Sequence, residues 1–272
     1  MSRKRKILMI AAIVATAAAA YAQVPGDRLV VPLSDPSRPA VVKVHLINGS
    51  ITVKAYNGKE VVVQARARQG ESHEESREGM RRIPITATGA EAEEEGNVVT
   101  VRTSAIMRTV DLEIQTPVRS ALKLKTINNG RITVEGVQGE IEAEDINGSV
   151  TLTNVSGSVV AHALNGAVVV KFNQVDPQKA MAFSSFNGNI DVTFPADLKA
   201  NVKLKSDRGE VYSDFELTVK PSPQPALESG RDSKGTYRVR LDKTVYGTIN
   251  GGGQELQFST LNGSIYIRKA GK

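Results

Sequence analysis

The chain holds three histidines, no cysteine and several acidic tracts, one of which offers a candidate cluster of carboxylates. His45, His73 and His162 lie far apart, and none stands in a ligand-type spacing such as H-x-x-x-H, so no metal centre or histidine catalyst is expected from them. The carboxylates are Glu135, Glu140, Glu142, Glu144 and Asp145. A pair of such groups hydrolyses glycosides when one is partly desolvated and the two stand at a fixed separation. Strand alternation places this cluster largely on an outer face, and no aromatic residue interleaves with it to stack on a sugar. The expectation is a solvated acidic patch over Glu135, Glu140, Glu142 and Glu144, with a site that attracts cationic partners and a glycosidase pair as the alternatives. Calcium-binding rolls repeat an aspartate at each turn, whereas the positions after the repeated glycines here are Arg131, Glu140, Ser149, Ser158 and Ala167. Gly251-Gly252-Gly253 is followed by neither Lys-Ser nor Lys-Thr, which favours a tight turn over a phosphate cradle. No catalytic residue, cofactor or metal is therefore expected.

The first 22 residues combine a basic start (Arg3 to Lys6), an apolar run from Ile7 and the small-x-small ending Ala20-Tyr21-Ala22. They read as a secretory signal peptide cleaved between Ala22 and Gln23. The apolar run is shorter than the roughly 20 residues that span a bilayer, so a membrane contact is expected only if the segment stays uncleaved. Four of the positive charges behind the net +6 lie in this segment, and its loss leaves 31 basic and 29 acidic residues. A nearly neutral exported chain is a poor nucleic-acid ligand. Export also means an oxidising compartment, where a chain without cysteine has only packing and hydrogen bonds to hold it.

Glycine is plentiful (23), aromatic residues make up 4%, and Val, Ile and Thr recur in short alternating runs, a β-rich composition. Residues 23–40, with Pro25, Pro32, Pro36 and Pro39, read as an extended lead-in. Residues 41–272 read as one β-repeat domain, with irregular strands over 41–126 and a repeat region over 127–272. Turn signals at Asn48-Gly49 and Asn57-Gly58 separate the first strands, and the charged tract Glu71 to Ile83 reads as surface.

From Ile127 glycines fall at 130, 139, 148, 157 and 166, a strict spacing of nine. Asparagine precedes every second one (Asn129, Asn147, Asn165), so the unit is an 18-residue coil with two strands and two unlike corners. The phrase returns at Asn187-Gly188, Asn250-Gly251 and Asn262-Gly263. Asn-Gly between alternating runs is the usual hairpin signal. In a hairpin, however, Ile146, Leu164, Phe186 and Leu261 would face Ser149, Ala167, Asn189 and Ser264, mixing core and solvent on one face. If the chain bends instead, with Asn or Gly left-handed at the corner, the apolar residues on both sides point inward. Stacked coils then align Ile132, Val150 and Val168 in one column and Val134, Leu152 and Val170 in another. The expected fold is thus all-β, a repeat-built parallel β-solenoid, with an antiparallel β-prism or meander as the alternative. Asn129, Asn147 and Asn165 are expected to stack as a structural ladder, and Gly139 and Gly157 to form the other corner.

These repeats, with the tail Tyr246-Gly247-Thr248-Ile249-Asn250-Gly251-Gly252-Gly253 leading into Leu256 to Ile267, resemble the bacterial "putative adhesin" family of envelope β-strand-repeat domains. The resemblance spans about Val41 to Arg268 and departs at Asp207-Arg208-Gly209, which lacks Asn, and in the Pro-rich excursion Lys220 to Gly235. It implies an exported, non-enzymatic protein of the periplasm or cell surface that presents a binding or scaffold surface to an envelope protein, glycan or peptide. Two other readings stay open: a β-helix enzyme acting on polysaccharide, and an envelope-stress sensor component that binds cationic peptides.

Overall fold

Alternating apolar and polar residues become β-strand through nearly all of the described chain, and no helix occurs among the described residues. The structure is a computed structural model that describes residues 26–68, 88–104, 108–220, 228–231, 237–240 and 244–271. The signal segment with its Ala22/Gln23 site, the charged tract with His73, and most of the Pro-rich excursion lie outside the described residues. Along the chain the strands begin with β1 (Asp27–Pro32), β2 (Ala40–Asn48), β3 (Ile51–Tyr56), β4 (Glu60–Ala67), β5 (Ala90–Glu95), β6 (Val98–Thr103) and β7 (Val110–Pro117). They continue with β8 (Ser120–Asn128), β9 (Ile132–Glu135), β10 (Gln138–Asp145), β11 (Val150–Ala163), β12 (Val168–Val175), β13 (Met181–Ser185) and β14 (Ile190–Phe194). The last are β15 (Ala200–Ser206), β16 (Val211–Ser213), β17 (Leu217–Lys220), β18 (Glu228–Arg231), β19 (Tyr237–Arg240), β20 (Val245–Ile249), β21 (Gln254–Thr260) and β22 (Ile265–Lys269). All but the β18–β19 pair belong to one mixed sheet of 20 strands.

That sheet consists of two ladders joined through β11. One runs β5-β6-β2-β8-β10-β11-β13-β21-β15-β20-β17. The other runs β1-β4-β7-β3-β9-β11-β12-β14-β22-β16. Pairing is parallel between β6 and β15 in the first and between β7 and β16 in the second; antiparallel strands occur only at the ends. β11 serves both because Asn154, at φ 55°, carries a register shift midway along it. No two strands flanking an Asn-Gly corner pair antiparallel: β10 with β11, around Asn147-Gly148, and β11 with β12, around Asn165-Gly166, pair in parallel, so the antiparallel alternative fails at these corners. The strands flanking Asn57-Gly58 do not pair at all, since β7 lies between β3 and β4.

Each pair of strands joined by a corner forms a rung, and the rungs do not stack in chain order. The β2–β3 rung sits between β6–β7 and β8–β9. At the other end the final β21–β22 rung sits between β13–β14 and β15–β16. Each terminal rung is therefore flanked on both sides by other rungs, so it is not left at an edge where it could fray. The strands before Ile127 continue the same ladders as the repeat region.

Inward residues of both ladders form one apolar core. Ile51, Ile132, Val150, Val168, Ile190 and Ile265 make one column in register, all fully buried. Toward the C-terminal rungs the core turns aromatic: Phe183 stacks on Phe258 at 5.0 Å and meets Phe172 and Phe194 edge-on.

The corners differ from expectation in three respects. First, the amide ladder runs through Asn128, not Asn129: Asn147 donates to Asn128 Oδ1, Asn165 to Asn147, Asn187 to Asn165 and Asn262 to Asn187, at 2.7 to 3.0 Å. Asn129 instead takes a left-handed φ of 59° as the extra residue of that corner. Where Asn is missing, Arg208 donates Nη1 to Asn262 Oδ1 at 3.2 Å and ends the ladder as a donor that need not accept. Second, Gly130, Gly148, Gly166, Gly188 and Gly263 are not left-handed. They are glycines because a Cβ on each would stand 1.8 to 2.2 Å from the carbonyl oxygen of the corner glycine one rung below. Third, Ile146 and Leu164 are only half-buried and Phe186 is 46% exposed, because strand alternation runs on unbroken and turns the residue before each of them inward.

The lead-in is also more ordered than its prolines imply. β1 pairs with β4, and Asp35 and Asn97 exchange hydrogen bonds, Asp35 N–H donating to Asn97 Oδ1 at 2.7 Å and Asn97 Nδ2 to Asp35 O at 2.5 Å.

Candidate functional site

The acidic row lies where alternation places it, on the outer face of β10, with lysines of neighbouring segments over it. Lys123 reaches Glu142 at 3.1 Å, Lys125 reaches Glu144 at 2.9 Å and Lys179 reaches Glu140 at 2.8 Å. Such exposed pairs add little stability, about 0 to 1 kcal/mol each, yet they cancel the charge that would draw a cationic partner. Glu135 is exposed on β9, in register with Lys54. The row follows an open strand and enters neither of the polar grooves near Ser50 and Lys203.

Asp145, fifth in the acidic run, points the other way. It is 1% exposed, and neither carboxyl oxygen has a hydrogen-bond partner. Burial pushes its carboxyl up from 3.8 to about 7. A signal for this was available in the sequence, since Ile141, Ala143 and Asp145 share one face of a strand.

The two histidines among the described residues are not brought together. His45 is on β2, and His162 on β11 shares a 2.8 Å hydrogen bond between its Nδ1 and Ser184 Oγ. No group of three or more metal-ligating side chains occurs among the described residues. Asn250, Gly251 and Gly252, all at positive φ, make the turn between β20 and β21.

The sequence reading missed a groove of about 350 Å³ at the β3–β4–β7 end, lined by Ser50, Thr52, Gln64, Arg66, Arg68, Asp111, Leu112, Glu113 and Arg131. Arg68 is its fixed frame. Nε and Nη2 donate to the two Asp111 oxygens at 2.7 Å each, Nη1 donates to Asn129 O at 2.7 Å, and Nη2 also reaches Ser50 Oγ at 2.9 Å. Asp111 further accepts the Ser50 N–H at 2.8 Å, and Glu113 faces Lys54 at 3.5 Å. With both acids engaged, the exposed Arg66 and Arg131 form no side-chain ion pair among the described residues. A guanidinium left in this state is a ready donor for a carboxylate, sulfate or phosphate. The available signal was Arg66-x-Arg68 on a strand of period two; the partner Arg131, 65 positions on, could not be paired with it locally.

Fold and surface together define an all-β protein of stacked strands whose outer face is polar. The chain belongs to the Toastrack DUF4097 family, which matches residues 97–250. The resemblance read from the repeats thus holds at the level of the family. No curated protein matches the chain. Among solved structures, one described as a putative cell adhesion protein from Clostridium sporogenes ATCC 15579 is 10% identical, with a TM-score of 0.39 over 90% of this chain and 99% of that one. Another, described as a putative adhesin from Bacteroides fragilis NCTC 9343, is 7% identical, with a TM-score of 0.31 over 91% of this chain and 98% of that one.

Proposed function

We propose that the chain is an exported, non-enzymatic protein of the bacterial periplasm or cell surface, a β-solenoid that offers a stiff binding face to an anionic envelope polymer. The observation that carries this reading is the groove in which Arg68 is locked by Asp111 while Arg66 and Arg131 are left uncommitted. Parallel ladders through every central rung support the solenoid, and a stiff frame holds the two arginines apart at little entropic cost on binding. The lysine-paired acidic row speaks against capture of cationic peptides there. Its carboxylates follow one exposed strand without converging on a groove, which speaks against a glycosidase.

The mature chain starting at Gln23 should bind a sulfated glycan such as heparin saturably, more weakly as salt rises. Arg66→Gln with Arg131→Gln should weaken binding by about tenfold or more, since each charge-assisted contact is worth on the order of 1 kcal/mol. Unchanged affinity in the double variant would refute the groove. Saturable binding of a polylysine peptide but not of heparin would support the sensor reading, and release of reducing sugar from an envelope glycan would support the enzyme. Export has its own check: mass spectrometry of secreted or periplasmic protein should find Gln23 first, and an intact Met1 would contradict it.

A further inference from the structure

Asp145 occupies a position that other rungs give to a hydroxyl. The in-register column through it reads Leu46, Thr126, Asp145, Ala163, Ser185, Thr260 and Ser206. Thr126 Oγ1 donates to Gly49 O at 2.9 Å, Ser185 Oγ to Gly166 O at 2.9 Å, Thr260 Oγ1 to Gly188 O at 3.0 Å and Ser206 Oγ to Gly263 O at 2.9 Å. Each bond runs from the inward residue of one rung to the corner glycine of the rung below. By the same offset the acceptor for Asp145 is Gly130 O. Gly130 O and the Asp145 carboxyl border one position: a Cβ added at Gly148 would lie 1.9 Å from Gly130 O and 2.7 and 3.0 Å from the two Asp145 oxygens. A carboxylate only accepts, and so does a carbonyl; a neutral carboxylic acid can donate. The alanine at the next place in the column, Ala163, leaves room for the larger group.

We propose that Asp145 is held as the neutral acid in the folded chain and donates its O–H to the Gly130 carbonyl, which makes the β10–β11 rung respond to pH. The surroundings supply no charge to hold an anion instead. β8 sets Thr126 beside Asp145 and β11 sets Ala163. The nearest charged or titratable side chains on the packed strands, Lys125, Glu144 and His162, are one residue along and on the outer face. The Asn147 N–H is already donated to Ile127 O at 3.1 Å. Burial raises the carboxyl to about 7 against a smaller lowering contact from the Asn147 backbone N–H, with no charged neighbour contributing.

The direction of the pH response follows from linkage. Between 3.8 and about 7 the folded chain keeps a proton that the unfolded chain has released. The stabilisation is full below 3.8, is lost progressively as pH rises, and is gone above about 7. Asp145→Asn supplies the same donor without a titration. Urea unfolding at pH 5, 6, 7 and 8 should therefore show the wild-type folding constant falling by on the order of a hundredfold relative to Asp145→Asn, then levelling. A wild-type-to-variant ratio constant across that range would overturn the proposal. If Asp145→Asn does not fold, carbon NMR of wild-type protein labelled at the Asp carboxyls decides: one resonance should titrate near neutral pH. Titration of every aspartate below pH 5 would overturn it.

Discussion

Replacing Gly148 by alanine is expected to destabilise the protein by about 3 kcal/mol or more, at the upper end for overpacking, because the obstruction is backbone that no rotamer change can move. The added Cβ would stand 1.9 Å from the carbonyl oxygen of Gly130, so the two rungs would have to part where the asparagine ladder and the inward hydrogen bonds meet. Gly148→Asn separates this cause from backbone conformation. Asparagine tolerates the left-handed region, so a left-handed corner would accept it with a small loss, whereas a corner closed by stacking rejects any Cβ. Gly96→Ala is the control: φ there is +57° and nothing lies within 4 Å of the new methyl, so the cost should be about 1 kcal/mol of backbone strain. Urea midpoints of the three variants check the ranking, and equal losses at positions 96 and 148 would contradict it.

The second large effect is expected at Phe183. Its ring is fully buried and touches Phe172, Phe194 and Phe258, so truncation to alanine should cost about 3 to 5 kcal/mol, and roughly 10 °C in Tm for a chain of this size. Phe186, three residues on and 46% exposed, should lose less than about 1 kcal/mol on the same substitution. The contrast has structural meaning because both are phenylalanines bordering one Asn-Gly corner. Thermal melts of the two variants measure it, and a larger loss for Phe186 would mean that the alternation had been placed one residue off.

That one-residue question shows how far the sequence can be read. Hydrophobicity at Ile146, Leu164 and Phe186 invites an inward placement, and the structure refuses it. Strand parity from Ile141 and Ala143 carries Asp145 inward, from Val159 and Ala161 it carries Ala163, and from Met181 and Phe183 it carries Ser185. Parity is a backbone constraint acting on every residue, whereas the preference of one corner side chain for the core is worth only a kcal/mol or two. The same oversight hid Asp145 among outward glutamates, and its role emerges only beside Thr126, Ser185, Thr260 and Ser206.

The sequence by itself determined that this is an all-β chain and which columns of Val, Leu and Ile line the interior; the corners it marked shifted, since the amide ladder takes Asn128 in place of Asn129, and Gly139 and Gly157 lie within β10 and β11. Those features are local: alternation has period two, and a corner is bent by the residues that form it. Only the tertiary structure decided the order of the rungs, with β2–β3 and β21–β22 each flanked by neighbours from elsewhere in the chain. Rung order depends on which strand edges meet, and any in-register parallel edge offers nearly the same hydrogen bonds, so adjacency in sequence does not specify it. The arginine groove follows from that choice, since Arg66 and Arg131 share a wall only because β3 pairs with both β7 and β9. So does the need for glycine at position 148, which arises from the carbonyl of a rung 18 residues earlier and not from its own φ.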